Sequence, residues 1–135
     1  MTAVRTAVLD ASVFVRAVIE PRGEGTAWVA AVDQGTVQGH TATLAFTEVA
    51  NALVSYVRAD ALTLPDAMAA LDALAGLPLN LHGAELARPA LGVAVDLGLS
   101  AYDGTYAALA ESLDVVLVTA DRRLAAAVGR AELLT

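Results

Sequence analysis

The hydrophobic pattern of the chain contains two continuous aliphatic runs, and most of the remaining apolar residues recur at helical spacing. We predict buried strands over residues 3–10 and Asp114–Thr119, because both runs have strand length and end at polar residues. Three further stretches are weaker strand predictions, namely Thr36–His40, Leu77–Leu81 and, at an edge, Glu132–Leu134.

Helical periodicity fills the intervals between these strands. The predicted helices are Ser12–Glu20, Gly25–Asp33, Thr43–Asp60, Pro65–Ala75, Gly83–Leu97, Ala101–Leu113 and Asp121–Val128. Pro89 should kink the fifth of these helices or move its start. Strands separated by helices pair in parallel and place helices on both faces of the sheet. We therefore predict an α/β fold, a three-layer α/β/α sandwich with a central, mostly parallel sheet of four or five strands, in a single domain over residues 1–135.

The composition narrows the classes of function. Hydrophobic residues make up 57% of the chain, which excludes disorder and suggests that a partner covers some apolar surface. The absence of cysteine excludes disulfides, thiolate catalysis and Cys-ligated zinc. We see no signal peptide and no long apolar run, so we expect a soluble, cytoplasmic protein.

The charge balance argues against one mode of nucleic-acid binding. The chain has 8 basic residues, all arginine, and 15 acidic residues, for a net charge of −7. This charge balance is unfavourable for a protein that binds nucleic acid through a broad basic surface. It is compatible with a protein that binds phosphate through metal ions held by acidic side chains.

Four acidic residues occupy positions that could bring them to one edge of the sheet. Asp10 and Asp121 follow the two strongest strand predictions, and the carboxyl ends of parallel strands meet at one edge. Glu48 lies in an otherwise apolar helix together with Asn51, and Asp103 lies at a helix start. Each also has a structural alternative. The aspartates could cap or complement helix N-termini, and Glu48 could lie on a solvated face.

Together these acids indicate a divalent-metal nuclease. Ser12 and Thr119 would add hydroxyls beside the carboxylates, and Mg²⁺ prefers such oxygen ligands. A metal held there could activate water and neutralise charge on a phosphodiester. His40 ends a candidate strand while His82 is predicted in a loop, so a zinc site is poorly supported.

Four sequence blocks resemble the signature blocks of PIN-domain ribonucleases, in particular the VapC toxins of bacterial toxin–antitoxin pairs. The blocks are Val8-Leu9-Asp10-Ala11-Ser12, residues 47–53 (TEVANAL), residues 102–110 (YDGTYAALA) and residues 117–124 (LVTADRRL). The resemblance runs from about residue 6 to residue 128. Gly104 departs from it, since alanine is more usual there, and we expect this to affect packing rather than chemistry.

The resemblance implies an endoribonuclease dependent on Mg²⁺ or Mn²⁺ that cleaves RNA by activated water. It implies a catalytic set of four acids, Asp10, Glu48, Asp103 and Asp121. Asp10 and Asp103 would be the foremost metal ligands, with Asp121 as a third, and Ser12, Asn51 and Thr119 would support them. It also implies a homodimer and an antitoxin whose helices fill an apolar groove, for which helices near residues 44–60 and 12–33 are candidates.

Other functions remain open at this point. A PIN-like binding module without catalysis would use the fold only for its partner, although all four acids are present. A metal hydrolase for small phosphorylated molecules is a second alternative. A haloacid-dehalogenase-type enzyme would need an aspartate where Ser12 stands. A DNA-directed nuclease using the same chemistry is the third.

Overall fold

A central sheet of parallel strands forms the core of the computed structural model, which describes residues 4–135. The strands are β1 Arg5–Leu9, β2 Val37–Ala42, β3 Asn80–His82, β4 Val116–Thr119 and β5 Ala131–Leu133, in the order β3-β2-β1-β4-β5. All four strand pairs are parallel. The predicted α/β fold class is confirmed. Ala3, in the predicted first strand, lies outside the described residues.

Helices cover both faces of this sheet, and Ala7, Val8 and Leu9 of the central strand are therefore completely buried. They are α1 Ala11–Ile19, α2 Glu24–Gln34, α3 Leu44–Arg58, α4 Leu64–Ala75, α5 Ala87–Leu97, α6 Ala101–Leu113 and α7 Arg122–Val128. Pro89 lies in the first turn of α5, and a separate 3-10 turn at Ala84–Leu86 precedes that helix. Proline thus shortened the helix predicted over Gly83–Leu97. No helix within residues 4–135 has the length and apolar character needed to cross a membrane.

The direction in which successive strands are added to the sheet reverses at β1. From β1 the chain moves outward through β2 to β3 and then returns to the other side of β1 to form β4 and β5. The carboxyl ends of β1 and β4 lie side by side, since Leu9 pairs with Val118. In open α/β sheets, ligands bind outside the carboxyl ends of strands at such a reversal. This arrangement places Asp10 and Asp121 at the expected edge.

The third strand is the clearest difference from the predicted elements. It covers Asn80–His82 instead of Leu77–Leu81, while Leu77 and Leu79 pack against the core before the strand begins. β3 is an edge strand that pairs only with β2 among the described residues. Its largely polar sequence therefore lacks the apolar run that identifies a central strand. The prediction that His82 lies in a loop is wrong for the same reason.

Candidate active site

Asp10 is a buried carboxylate at the junction of β1 and α1. It is the N-cap of α1, and its Oδ1 accepts hydrogen bonds from the Ser12 backbone N–H at 3.0 Å and from Ser12 Oγ at 2.5 Å. Its Oδ2 accepts one from Thr119 Oγ1 at 2.6 Å. Only 5% of the residue is exposed. Burial raises the pKa of Asp10 to about 6, although the hydrogen bonds from Ser12 and Thr119 oppose that rise.

The hydroxyls of Ser12 and Thr119 join this junction to the one that follows β4. Thr119 Oγ1 accepts a hydrogen bond from the Asp121 backbone N–H at 3.0 Å, and Ser12 Oγ accepts one from the Ala120 N–H at 2.8 Å. Asp121 is the N-cap of α7. The two hydroxyls predicted to support the acids therefore connect the loops that carry Asp10 and Asp121.

The other two acids approach from helices α3 and α6. Glu48 is half-buried, and burial raises its pKa, with a further rise from the negative charge of Asp103. Asp103 lies in the first turn of α6, where Ser100 is the N-cap. Burial raises the pKa of Asp103, and the charge of Asp121 raises it further, while Arg123 lowers it. Glu48 and Asp103, and likewise Asp103 and Asp121, are thus close enough to repel one another.

Asn51, which was predicted to support the acids, is exposed on α3, one turn beyond Glu48. Both residues line an open depression of about 430 Å³, together with Thr47 and Tyr102. This depression adjoins the acids and is large enough to admit part of a substrate.

The acids do not form a closed cage. Among residues 4–135, no three Asp, Glu or His side chains lie close enough together to hold one metal ion. The donor set nevertheless fits a hard divalent cation, because Mg²⁺ is usually bound by one or two carboxylates and keeps several water ligands. The raised pKa values point the same way, since the ionised carboxylates are incompletely compensated by protein groups.

Sequence reasoning assigned no role to Tyr106, which contacts one of the acids directly. Its hydroxyl donates a hydrogen bond to Glu48 Oε1 at 2.6 Å, and the residue is only 1% exposed. Burial and the neighbouring Glu48 raise the pKa of Tyr106 far above its ordinary value. The available signal was its position three residues after Asp103, which places both on one face of α6.

The two histidines also come together, contrary to the sequence-based expectation. His40 Nδ1 and His82 Nε2 are 2.9 Å apart, on the neighbouring strands β2 and β3. Burial lowers the pKa of His40, and the adjacent His82 lowers it further. The contact is a hydrogen bond that requires at least one neutral ring.

Apolar grooves flank helix α3 on two sides. A cavity of about 290 Å³ between α3 and α4 is lined mainly by aliphatic side chains, among them Val54, Leu64 and Met68. A second groove of about 310 Å³ lies between α1 and α3, and Glu48 forms part of its wall. These grooves account for part of the apolar excess in the composition.

Comparison with known proteins agrees with this geometry. The fold is similar to the crystal structure of PAE2754 from Pyrobaculum aerophilum, with a TM-score of 0.75 and 28% identity over 96% of this chain and 91% of that chain. It is also similar to VapBC2 from Rickettsia felis bound to a DNA fragment from their promoter, with a TM-score of 0.68 and 12% identity over 96% of this chain and 99% of that chain. No curated protein matches the chain.

The family model for the PIN domain matches residues 7–129. PIN domains are generally nucleases that use divalent metal ions. The match includes all four acids and strands β1 to β4 except the beginning of β1, while β5 follows the matched range. The chain belongs to the PIN domain family.

Proposed function

We propose that this protein is a divalent-metal-dependent endoribonuclease that acts in the cytoplasm as the toxin of a toxin–antitoxin pair. The observation that carries the proposal is the buried Asp10 carboxylate at the strand-order reversal, linked through Thr119 to the loop of Asp121. The likeness to VapBC2 supports the fold on which the toxin assignment rests.

Asp10 and Asp103 would hold the Mg²⁺ or Mn²⁺ ion, with Asp121 as a third carboxylate. When bound, such an ion lowers the pKa of a water molecule and neutralises negative charge on the phosphodiester. The net charge of −7 is then no obstacle, because the acids that produce part of it become the means of binding phosphate.

The other residues would position the reactants. Ser12 and Thr119 fix both oxygens of Asp10, so the carboxylate cannot rotate away from the cleft. Glu48 has a raised pKa, which makes it a stronger base towards a water proton than an exposed glutamate. Asn51 could orient water or RNA at the edge of the depression, and Arg123 would place a positive charge near the scissile phosphate.

An antitoxin would act by occupying the groove between α1 and α3. Its apolar side chains would pack between the two helices, and an arginine or lysine would reach Glu48 at the wall of the groove. Such a contact neutralises an acid and excludes RNA at the same time. The active unit would be a homodimer.

The proposal is tested with purified protein freed from any partner, incubated with total RNA in the presence of Mg²⁺, Mn²⁺ or chelator. We expect metal-dependent cleavage that falls by more than about 100-fold in Asp10→Asn and Asp103→Asn, since even groups that only support metal ligands matter by 10–100-fold. Asp72→Asn is the matched control, because Asp72 is an exposed carboxylate on α4, outside the acid set. Thermal unfolding of each variant verifies that it is folded.

Parallel reactions with DNA and with small phosphate esters separate the alternatives. Cleavage of DNA but not RNA would replace the proposed substrate, and hydrolysis of small esters alone would indicate a phosphatase. A folded protein that is inert with metal on every substrate and still binds its partner would be a binding module. RNA cleavage that survives both substitutions would refute the assigned site.

A further inference from the structure

We propose that Tyr106 is a positioning residue that holds the Glu48 carboxylate among the acids, where its negative charge adds to that of the metal ligands Asp10 and Asp103 in attracting the divalent cation. The inference rests on the proposed function. It starts from the hydrogen bond of 2.6 Å that the Tyr106 hydroxyl donates to Glu48 Oε1.

The phenol provides a fixed point because its ring belongs to the core. Tyr106 is 1% exposed and packs within the main hydrophobic cluster, together with Leu109 of the same helix. Its burial and the nearby carboxylates of Glu48 and Asp10 raise its pKa well above the ordinary value. The hydroxyl therefore keeps its proton and remains a donor at neutral pH.

The same hydroxyl lies near the start of α1. The Asp10 carboxylate raises the pKa of Tyr106 and the backbone N–H of Ala11 lowers it, so the phenol lies close to the turn that carries Asp10. Its hydrogen bond to Glu48 therefore restrains that carboxylate near the same turn.

Glu48 needs such a restraint more than Asp10 does. Ser12 and Thr119 hold both oxygens of Asp10. Glu48 has a longer side chain on a half-buried part of α3, next to the open depression that also contains Asn51. Without the phenol, repulsion from Asp103 favours rotation of Glu48 away from the acids and into that depression.

The test is a double-mutant cycle in which Mn²⁺ affinity is measured by calorimetry on the full chain, free of any partner. Tyr106→Phe removes the hydroxyl and keeps the ring. We expect it to weaken Mn²⁺ binding by about 10-fold, the lower end of the effect of groups that orient metal ligands. In the Glu48→Gln background the same change should have no further effect. Ser112→Ala is the control, because it removes a hydroxyl from the same helix that donates to the Leu109 carbonyl oxygen at 2.9 Å, within α6 itself.

A purely structural tyrosine gives a different result. Tyr106→Phe would then lower the stability of the protein in urea but leave the Mn²⁺ dissociation constant unchanged, and the inference would be overturned. An equal loss of Mn²⁺ affinity in both backgrounds would also overturn it, because Tyr106 would not act through Glu48. A wild-type chain that binds no Mn²⁺ would overturn the proposed function and this inference together. Of these three contrary results, the first two would leave the proposed function intact.

Discussion

Ionisation of Asp10 should destabilise the metal-free protein, and Asp10→Asn should remove this effect. Burial raises the pKa of Asp10 from 3.8 to about 6, so the folded protein binds this proton more tightly than the unfolded chain does. The stabilising contribution of the protonated carboxyl is therefore complete below pH 3.8 and is lost as the pH rises through about 6. At about 1.4 kcal/mol for a tenfold change in proton affinity, the difference between pKa values of 3.8 and about 6 corresponds to about 3 kcal/mol.

The measurement is the free energy of unfolding in urea, with chelator present, for wild type and Asp10→Asn between pH 4 and pH 8. Asparagine keeps an oxygen that can accept from Ser12 and an amide that can donate to Thr119, and it remains a good N-cap. We expect the two proteins to differ little at pH 4. The variant should be more stable by about 3 kcal/mol at pH 8. Taking the difference cancels the titration of all other groups.

A difference in unfolding free energy that stays constant from pH 4 to pH 8 would refute this reasoning, because the buried carboxyl would then have the same pKa in the folded and unfolded states. A second measurement is the stabilisation of the protein by Mn²⁺, which depends on the same Asp10 carboxylate. Mn²⁺ at pH 8 should stabilise wild type in proportion to the logarithm of its concentration above the dissociation constant, and it should stabilise Asp10→Asn much less.

Further substitutions test the packing of the helices and the histidine pair. Gly104→Ala should destabilise the protein by about 1–3 kcal/mol, because the new Cβ would lie 2.7 Å from the Ala90 carbonyl oxygen. Gly92→Ala, in an open position on α5, should instead stabilise it by about 0.5–1 kcal/mol, and urea unfolding of both variants would contradict the packing argument if their order were reversed. The lowered pKa of His40 means that the unfolded chain binds its proton more readily, so the contribution of His40 to stability should be lost as the pH falls below 6.5, opposite in sign to the contribution of Asp10. His40→Gln should reduce that loss, and an identical pH dependence in the two proteins would exclude His40 as its source.

The strands that carry the aspartates could be predicted because their sequences meet several requirements at once. Buried central strands need continuous apolar residues, and both Ala7–Leu9 and Val115–Val118 supply them. The acids that follow these runs then mark the carboxyl edge of the sheet. Asp10 and Thr119 are adjacent because β1 pairs with β4. Two strongly apolar strands are expected to be neighbours at the centre of a parallel sheet.

Contacts that depend on register or on side-chain direction could not be predicted in the same way. His40 and His82 meet only because β3 begins at Asn80, and the leucines before it indicated an earlier start. Tyr106 lies among apolar residues of α6, where a tyrosine is most simply explained as part of the core. Its hydroxyl donates a hydrogen bond to Glu48 on α3, which lies 58 residues earlier in the sequence. Local sequence patterns do not indicate contacts between residues so far apart.

Helix capping and metal binding are compatible roles for Asp10 and Asp121, the acids that follow β1 and β4. Asp10 and Asp121 do cap helices α1 and α7, as their positions suggested. In both residues the capping hydrogen bonds go to Oδ1, so Oδ2 keeps at least one lone pair available. Capping by itself requires an acceptor but no buried charge, because asparagine and serine cap as well as aspartate. Asp10 is 5% exposed and its pKa is raised, so its charge costs stability that a cap does not need. That excess cost, more than the presence of four acids in the sequence, is the physical reason to look for a cation at this edge of the sheet.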